Sequence, residues 1–351
     1  MPAVPALPAA VDAALSFPAF FNPRWVNLIR RAVIDGNADM IIVRDLPLCP
    51  TAVHVGRSFG IPVVLDMAEN YPAMMRALWE TGRQTPLDYV VRNPRATAWV
   101  EKYSVDAVDH IITVVEESAD RVHALGVPRE KLSVISNTPP RARVRARRDT
   151  PSRDGVDIVY MGNLEVARGL LEAIDAIAIL AERGVSARLR IIGRGRDERL
   201  LRARAAELGL DSKCVEFLGF IESHAEALEI VAQSDVGLIP HRKCESWDTT
   251  IPNKLFDYMA AGIPTVSSNT APCERIVTET GAGEIFTSES ASSLADAIVR
   301  ATARGRREAL GEAGRQAVLD RYNWEHDTAV LEAVLERSEL QGTGVPVHML
   351  P

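Results

Sequence analysis

Residues 249–264 combine two hydroxyls, a lysine and a carboxylate with the start of a predicted helix. The sequence reads Thr-Thr-Ile-Pro-Asn-Lys-Leu-Phe-Asp-Tyr-Met-Ala-Ala-Gly-Ile-Pro. Thr249 and Thr250 precede the helix, so free backbone N–H groups, two hydroxyls and the helix dipole would face a negative group. Lys254 adds a mobile charge. Asp257, on the same helix face, can accept hydrogen bonds from two vicinal sugar hydroxyls. The stretch predicts a site for a nucleoside diphosphate with its ribose.

An ordinary amphipathic helix with a capped end would use the same residues, and Lys-x-x-Asp spacing alone carries little information. The binding interpretation is favoured because the segment follows a predicted strand at 236–239. It would therefore lie at the carboxyl end of a sheet, where open α/β folds bind their ligands.

Short apolar runs alternate with helical stretches along the chain, which is typical of parallel βαβ units. The predicted strands are 40–43, 62–65, 110–115, 132–135, 157–160, 187–192, 215–217, 236–239, 264–267 and 283–286. We therefore predict two doubly wound sheets of the α/β class. The predicted division is a first domain at 1–140, a linker at 141–154, a second domain at 155–335 and a tail at 336–351.

The linker is assigned to an arginine run, residues 141–153, which has no apolar period and ends in turn formers. A solvated linker is the favoured interpretation, because charge runs are usually solvated. Contact with anionic lipid, or with the phosphates of a lipid-linked acceptor, is the alternative.

Composition restricts the class of protein. The 351 residues suffice for two domains with separate cores. A net charge of −7 argues against a nucleic-acid-binding protein that depends on neutralising phosphates. The four cysteines include no Cys-x-x-Cys pair, which disfavours zinc and disulfides.

No segment approaches the ~20 apolar residues that span a bilayer. We expect a cytoplasmic protein that can touch the inner face of the membrane.

Two glycine-containing turns add to the predicted anion site. Residues 162–169 follow the first strand of the second domain, where Gly162 permits close backbone approach and Arg168 would project a cation towards a diphosphate. Gly193 and Gly195 form a tight turn after the next strand. Plain strand–helix turns would explain each of these features equally well.

Together these motifs resemble the family 4 glycosyltransferases, which have the GT-B fold of two Rossmann-like domains facing a cleft and transfer a sugar with retention at the anomeric carbon. The resemblance covers residues 157 to about 324 and, for the later part of the first domain, 41–137. In the common family pattern two glutamates, separated by seven intervening residues, lead into Ala-x-x-Gly-x-Pro. Thr249 and Asp257 stand at those positions here, and a branch with Pro-x-Lys-x-x-Glu/Asp-Tyr is most similar.

The resemblance implies catalytic roles for Arg168 and Lys254, because fixed cations can stabilise charge on a leaving diphosphate. Asn163 stands where the family often has a basic residue, and Phe220 lies near the position where a family loop meets the base. The implied donor-binding residues are Gly162, Asn163, Gly193, Gly195, Phe220, Thr249, Thr250 and Asp257.

The first domain supplies weaker signals. Asp66 and Glu69 follow a buried strand and would face the acceptor side of the cleft, although a capping cluster for the next helix explains them as well. Only about forty residues precede the first clear strand, and the first glycine among them is Gly36. The domain therefore resembles a GT-B N-terminal domain without its initial βαβ portion.

The leading hypothesis is a retaining glycosyltransferase that moves a sugar from a nucleoside-diphosphate donor to a saccharide or lipid-linked acceptor in polysaccharide or glycolipid biosynthesis. We expect no metal and no cofactor, since the sequence lacks an Asp-x-Asp motif. A nucleotide-sugar 2-epimerase is an alternative that the Lys-x-x-Asp helix fits poorly. A non-catalytic or residual nucleotide-sugar-binding protein, without the acceptor half-site, is the other.

Overall fold

The computed structural model describes residues 22–80, 82, 84–85, 88–144 and 155–342. The chain divides into two compact units, one that takes in Met1–Ile135 with Ala329–Pro351 and one of Ser136–Thr328. The predicted domain bounds remain a prediction. Of the predicted linker, Arg141–Arg143 form one turn of 3₁₀ helix, and residues 145–154 lie outside the described residues, as does the tail beyond 342.

The first unit contains a parallel sheet whose described strands follow the order β1-β2-β3-β4. The strands are β1 (Ile41–Arg44), β2 (Val63–Met67), β3 (His110–Thr113) and β4 (Leu132–Val134). The helices are α1 (Pro23–Gly36), α2 (Cys49–Phe59), α3 (Tyr71–Glu80), α4 (Asp88–Val91), α5 (Pro94–Ala107) and α6 (Glu116–Ala124).

Residues 63–65 of β2 form a continuous apolar run and are buried on both faces of the sheet, as is typical of parallel strands covered by helices. Successive side chains point to opposite faces. Leu65 packs in a cluster with Val53 of α2, whereas Val64 packs on the other face with Ile112 and Val334. Each face of this sheet therefore has its own core.

The second unit contains a six-stranded parallel sheet of order β10-β9-β8-β5-β6-β7. Its strands are β5 (Val156–Met161), β6 (Ala187–Ile192), β7 (Val215–Gly219), β8 (Val236–Ile239), β9 (Thr265–Ser268) and β10 (Gly283–Phe286). Its helices are α7 (Leu170–Glu182), α8 (Glu198–Glu207), α9 (His224–Ala232), α10 (Lys254–Ala260), α11 (Ala271–Thr280), α12 (Ala291–Thr302) and α13 (Arg306–Asp320); α14 (Trp324–Gly342) follows. The order reverses between β5 and β8, so this sheet is doubly wound.

A close contact fixes helix α10 against the sheet. The ring of Tyr258 covers Gly237 of β8 so tightly that a Cβ on the glycine would lie 2.3 Å from it. The backbone N–H of Met161, at the end of β5, donates to the Tyr258 hydroxyl at 3.2 Å. Tyr258 thus holds α10 beside the carboxyl ends of β5 and β8, and with it Lys254 and Asp257.

All ten predicted strands are confirmed, with ends shifted by up to two residues. Among the helices of the described ranges, none combines the length and apolar character needed to cross a bilayer.

Candidate functional site

The candidate site lies at the carboxyl ends of β5 and β8, where the strand order of the second unit reverses. Open α/β sheets bind ligands at this point because the loops on either side diverge and leave a crevice. The predicted residues come from the loops after β5, β6 and β8 and from helix α10. One edge of the sheet therefore carries most of them.

Three glycines let these loops approach one another. Gly162, at φ +150°, lies so close to helix α10 that a Cβ there would be 2.8 Å from Lys254 Nζ. A Cβ on Gly193 would lie 1.9 Å from the Gly162 carbonyl oxygen, and one on Gly195 would meet the backbone of Leu164 at 2.3 Å. A larger residue at Gly193 or Gly195 would clash with backbone and force the loops apart, whereas at Gly162 the Lys254 side chain would have to move.

Lys254 is the first residue of α10 and is 7% exposed. Its Nζ lies 4.3 Å from the centroid of the Tyr160 ring and, within the described residues, has no hydrogen-bond partner. Burial, and then the charge of Arg168, hold the pKa of Lys254 well below its ordinary value, while Cys273 and Asp257 act in the opposite direction. The side chain is therefore a fixed donor whose charge is costly until an anion arrives.

Arg168 ends the 3₁₀ turn Val166–Arg168 that follows β5. Its guanidinium lies 5.0 Å from the centroid of the Trp247 ring, and its Nη1 is 3.5 Å from His241 Nε2. The Nε atom is buried and lies 4.0 Å from Glu165 Oε2, and no residue in the described part of the chain accepts a hydrogen bond from it.

His241, which immediately follows Pro240 at the end of β8, is 1% exposed, and its ring stacks on Trp247 with centroids 4.1 Å apart. Burial, Lys254 and Arg168 together hold its pKa well below the ordinary value, so the imidazole is neutral. The Nδ1 atom has no hydrogen-bond partner among the residues that the structure describes.

The backbone fixes His241 in place. The Ser268 hydroxyl donates to the His241 carbonyl at 2.6 Å. The next residue, Arg242, donates its backbone N–H to the Ala167 carbonyl at 3.1 Å. Gly169 packs against the carbonyl of Pro240, where a Cβ would be 1.7 Å away. The loop after β8 is therefore joined directly to the turn that carries Arg168.

We refer to Arg168 Nε, His241 Nδ1 and Lys254 Nζ as the buried nitrogen cluster. Native proteins pair nearly all buried polar atoms, because a buried donor without an acceptor costs about 1–3 kcal/mol. Three such nitrogens around one loop junction, two of them on cationic side chains, suit a ligand that is rich in acceptors and negatively charged. A diphosphate has both properties.

Comparison with known proteins identifies the family. Residues 155–304 match the family described as Glycosyl transferases group 1, and residues 1–138 match the one described as Glycosyl transferase 4-like domain. The chain belongs to the family 4 glycosyltransferases. This family consists of transferase enzymes.

Two curated relatives are each 31% identical to the chain. The putative colanic acid biosynthesis glycosyltransferase WcaL of Escherichia coli aligns over 191 residues, 54% of this chain and 47% of WcaL. The GDP-mannose-dependent alpha-(1-6)-phosphatidylinositol dimannoside mannosyltransferase of Mycobacterium tuberculosis aligns over 224 residues, 62% of this chain and 54% of that enzyme. The chain spans about half the length of these relatives. Neither favours the epimerase or the non-catalytic alternative.

Solved structures support the GT-B fold. Sucrose-phosphate synthase from Thermosynechococcus elongatus superposes with a TM-score of 0.76 at 16% identity, covering 95% of this chain and 80% of that one. Anabaena HepE in complex with UDP gives 0.69 at 14% identity, covering 90% of this chain and 81% of that one. At such low identity the likeness concerns the fold alone.

At the first position of the family's glutamate pair, Thr249 is buried and its hydroxyl donates to the Glu245 carbonyl at 2.9 Å. The hydroxyl is thus used within its own turn. Thr250 is buried beside it. On the neighbouring loops Phe220 is 57% exposed, with the Arg194 guanidinium 4.6 Å from its ring centroid. These placements leave the predicted donor contacts of Thr249, Thr250 and Phe220 a prediction, and the same holds for Asn163, which is exposed.

Asp257 occupies the second position of the glutamate pair and is 8% exposed. Burial raises its pKa, while His224, Arg143 and Lys254 lower it. Its Oδ1 lies 3.9 Å from both Arg143 Nη1 and His224 Nε2. A cavity of about 120 Å³ beside it is lined by Arg143, Leu228 and Asp257, among others. Asp257 is thus buried, as is Lys254, and lies next to a small open volume.

The family resemblance also implied acceptor-side residues in the first unit. Asp66, at the end of β2, accepts a hydrogen bond from Arg44 Nη1 at 2.6 Å. Asn70 caps α3, since its Oδ1 accepts from the Ala73 N–H at 3.1 Å. The contact between Asp66 and Arg44 leaves a charged pair at the carboxyl edge of this sheet. A role towards an acceptor stays a prediction.

Sequence reasoning missed His241 and Trp247. His241 directly follows a predicted strand, so the rule that placed the other candidates at carboxyl ends of strands could have found it. Trp247 carries no comparable signal, because its place depends on the path of the loop after β8.

Proposed function

We propose that the chain is a metal-independent, retaining glycosyltransferase that moves a sugar from a nucleoside-diphosphate donor to a hydroxyl of a saccharide or lipid-linked acceptor. The observation that carries the proposal is the buried nitrogen cluster at the strand-order reversal of the second unit. The family to which the chain belongs supports the reaction class. The relative named for GDP-mannose supports a nucleotide-linked donor.

The proposed chemistry follows from where charge develops. As the bond between the anomeric carbon and the diphosphate oxygen breaks, negative charge grows on the leaving diphosphate. Arg168 and Lys254 are already in place to stabilise it, and fixed donors in a water-poor site need little rearrangement as the reaction proceeds. The acceptor hydroxyl would attack from the face that the diphosphate leaves, which retains the anomeric configuration.

Asp257 is assigned to the nucleoside end of the donor. Asp257 lies three residues after Lys254 in the chain, and its carboxylate borders the cavity lined by Arg143 and Leu228. A carboxylate accepts hydrogen bonds from two neighbouring hydroxyls, as a ribose presents them. Arg143 and His224, both 3.9 Å away, oppose the rise in the pKa of this carboxyl that burial causes.

The biosynthetic setting belongs to the same proposal. Relatives are named for colanic acid biosynthesis and for a phosphatidylinositol dimannoside mannosyltransferase, and these products are a polysaccharide and a glycolipid. We assign this chain to polysaccharide or glycolipid biosynthesis in the cytoplasm. The arginine run at 141–153 would allow peripheral contact with the inner face of the membrane.

Calorimetric titration with UDP and GDP tests the donor site. Arg168→Ala and Lys254→Ala should each weaken binding, whereas Lys213→Ala, which removes an exposed lysine of the same unit, should not. Release of nucleoside diphosphate from UDP- and GDP-sugars in the presence of EDTA then tests transfer without metal. Proton NMR of the product gives the anomeric configuration. Equal affinity of all three variants for both nucleotides would refute the site assignment.

A further inference from the structure

We propose that His241 is a third ligand of the donor diphosphate, with its Nδ1–H donating a hydrogen bond to a phosphate oxygen beside Arg168 and Lys254. The inference rests on the proposed function and adds a residue and an atom to it. Trp247 is assigned the part of a positioning residue, which holds the imidazole plane by stacking.

The proton position follows from the contact with Arg168. A guanidinium can donate hydrogen bonds but cannot accept them. His241 Nε2, which is 3.5 Å from Arg168 Nη1, must therefore act as the acceptor and carry no proton. In a neutral imidazole the proton then resides on Nδ1. Nδ1 is the ring nitrogen that belongs to the buried nitrogen cluster.

The ring cannot easily turn to find another acceptor. It is stacked on Trp247 at 4.1 Å between centroids, and it is 1% exposed. Its backbone carbonyl is held by the Ser268 hydroxyl at 2.6 Å. The Nδ1–H is thus rigid and buried, and it points away from Arg168, the only polar contact of the ring among the described residues. Such a group is suited to an acceptor that comes from outside the chain.

The chemistry of the neighbours selects a phosphate oxygen over a sugar hydroxyl. Lys254 and Arg168 are the charged groups that lower the pKa of His241, and both donate without accepting. A sugar hydroxyl would need an acceptor for its own proton, which neither of these cationic side chains can supply. A phosphate oxygen only accepts, so it can be shared by all three nitrogens.

A neutral histidine also suits a site that already holds two cations. A third positive charge there would raise the cost of the ligand-free site. An uncharged N–H adds a hydrogen bond to the phosphate without that cost. His241 therefore extends the phosphate contacts beyond the two charged residues.

Three substitutions of His241 in the full chain test whether this residue binds the phosphate and whether it does so through Nδ1. The side-chain amide nitrogen of Asn can occupy the position of Nδ1, that of Gln reaches the position of Nε2, and Phe keeps the stack without any donor. We expect His241→Asn to bind UDP or GDP within about threefold of the parent. His241→Gln and His241→Phe should lose about tenfold to a hundredfold, the range for a hydrogen bond to a charged group. Inorganic pyrophosphate should show the same ranking.

A second measurement does not depend on the variants. In the unsubstituted protein, two-bond ¹H–¹⁵N correlations report the imidazole tautomer, and addition of the nucleoside diphosphate should shift the His241 Nδ1–H signal downfield. A purely structural histidine would show no ligand-dependent change at Nδ1. Trp247→Phe should keep the tautomer, because a smaller aromatic ring still stacks.

The outcomes separate this inference from the proposed function. If Lys254→Ala loses affinity while His241→Phe binds as the parent does, the donor site stands and the role of His241 is wrong. If Gln preserves binding better than Asn, Nε2 rather than Nδ1 is the ligand, and the inference also fails. If the unsubstituted chain binds neither nucleotide nor pyrophosphate, both proposals fall together.

Discussion

The Nζ of Lys254 lies over the ring of Tyr160, 4.3 Å from its centroid, with the backbone of Gly162 directly alongside. Tyr160 lies in β5 and Gly162 begins the loop that follows, so the lysine reaches from α10 across to the first strand of its sheet. An aromatic face stabilises an ammonium group only modestly, by roughly 0.5–2 kcal/mol. The contact holds the lysine in position but does not compensate for the free-energy cost of burying its charge.

We therefore expect Lys254→Met to separate stability from binding. Methionine fills a similar volume and removes a buried cationic nitrogen, so the free energy of unfolding should stay the same or rise by up to about 2 kcal/mol. Binding of nucleoside diphosphate should weaken by about 1.5–3 kcal/mol. Urea denaturation and calorimetric titration measure the two quantities. Lys213→Met is the matched control, and a destabilised Lys254→Met would contradict the account of the burial cost.

Nucleotide binding should be coupled to proton uptake. In the free protein, burial and neighbouring cations lower the pKa of Lys254 and of His241. A bound diphosphate adds negative charge, which favours the protonated form of Lys254 and raises its pKa. Protons are therefore taken up in the pH range between the lowered pKa of Lys254 in the free site and its ordinary pKa of 10.5. The affinity should fall as the pH rises through this range.

Titrations in buffers of different ionisation enthalpy measure the uptake. The Lys254→Met variant supplies the baseline for protons bound by the nucleotide itself. Identical apparent enthalpies across buffers would show that Lys254 is already fully protonated in the free site. The pKa of Lys254 is lower in the folded than in the unfolded protein. Without ligand, its contribution to the free energy of unfolding is therefore most favourable above pH 10.5, the ordinary lysine pKa, and is lost as the pH falls towards the folded-state pKa.

Gly237→Ala tests how tightly α10 is held. A Cβ at this position would lie 2.3 Å from the Tyr258 ring, so either the ring or the helix must move. We expect a loss of about 1–3 kcal/mol in the free energy of unfolding, together with weaker nucleotide binding, since α10 carries Lys254 and Asp257. Gly36→Ala is the control, because a Cβ there meets nothing within 4 Å. Unchanged stability of Gly237→Ala would show that α10 is adaptable.

Much of the fold is readable from the sequence because parallel strands covered on both faces appear as short apolar runs. Strand ends are less readable. Residues 110–115 predict one strand, yet β3 ends at Thr113, because its register with β4 closes at Val134. Val114 and Val115 are buried beyond the ladder. Hydrophobicity reports burial, whereas pairing decides where a strand ends.

The site was predictable where a residue type carries its own chemical signal. Lys254, Asp257 and the glycines stand out in this way. The contact between His241 and Arg168 depends on β5 and β8 being neighbours in the sheet, which the order of elements along the chain does not specify. Thr249 shows the reverse case, since its residue type suggested a ligand contact while the local turn uses its hydroxyl.

Asp257→Asn should weaken binding of UDP or GDP by about tenfold or more and leave binding of inorganic pyrophosphate within about twofold. The reason is that its proposed partners are ribose hydroxyls, which pyrophosphate lacks. Asn keeps the size of the side chain but loses one acceptor and the charge that faces Arg143 and His224. Calorimetric titration with both ligands gives the two ratios.

The matched comparison is Lys254→Ala, which should weaken binding of both ligands, because its partner is the diphosphate itself. The two variants thus report on opposite ends of one ligand: Asp257 on the ribose and Lys254 on the diphosphate. A parallel loss of nucleotide and pyrophosphate in Asp257→Asn would mean that Asp257 acts by ordering α10 and its cationic neighbours. Measurement of the unfolding midpoint would then show a lower value, whereas a ribose contact predicts a midpoint close to that of the unsubstituted protein.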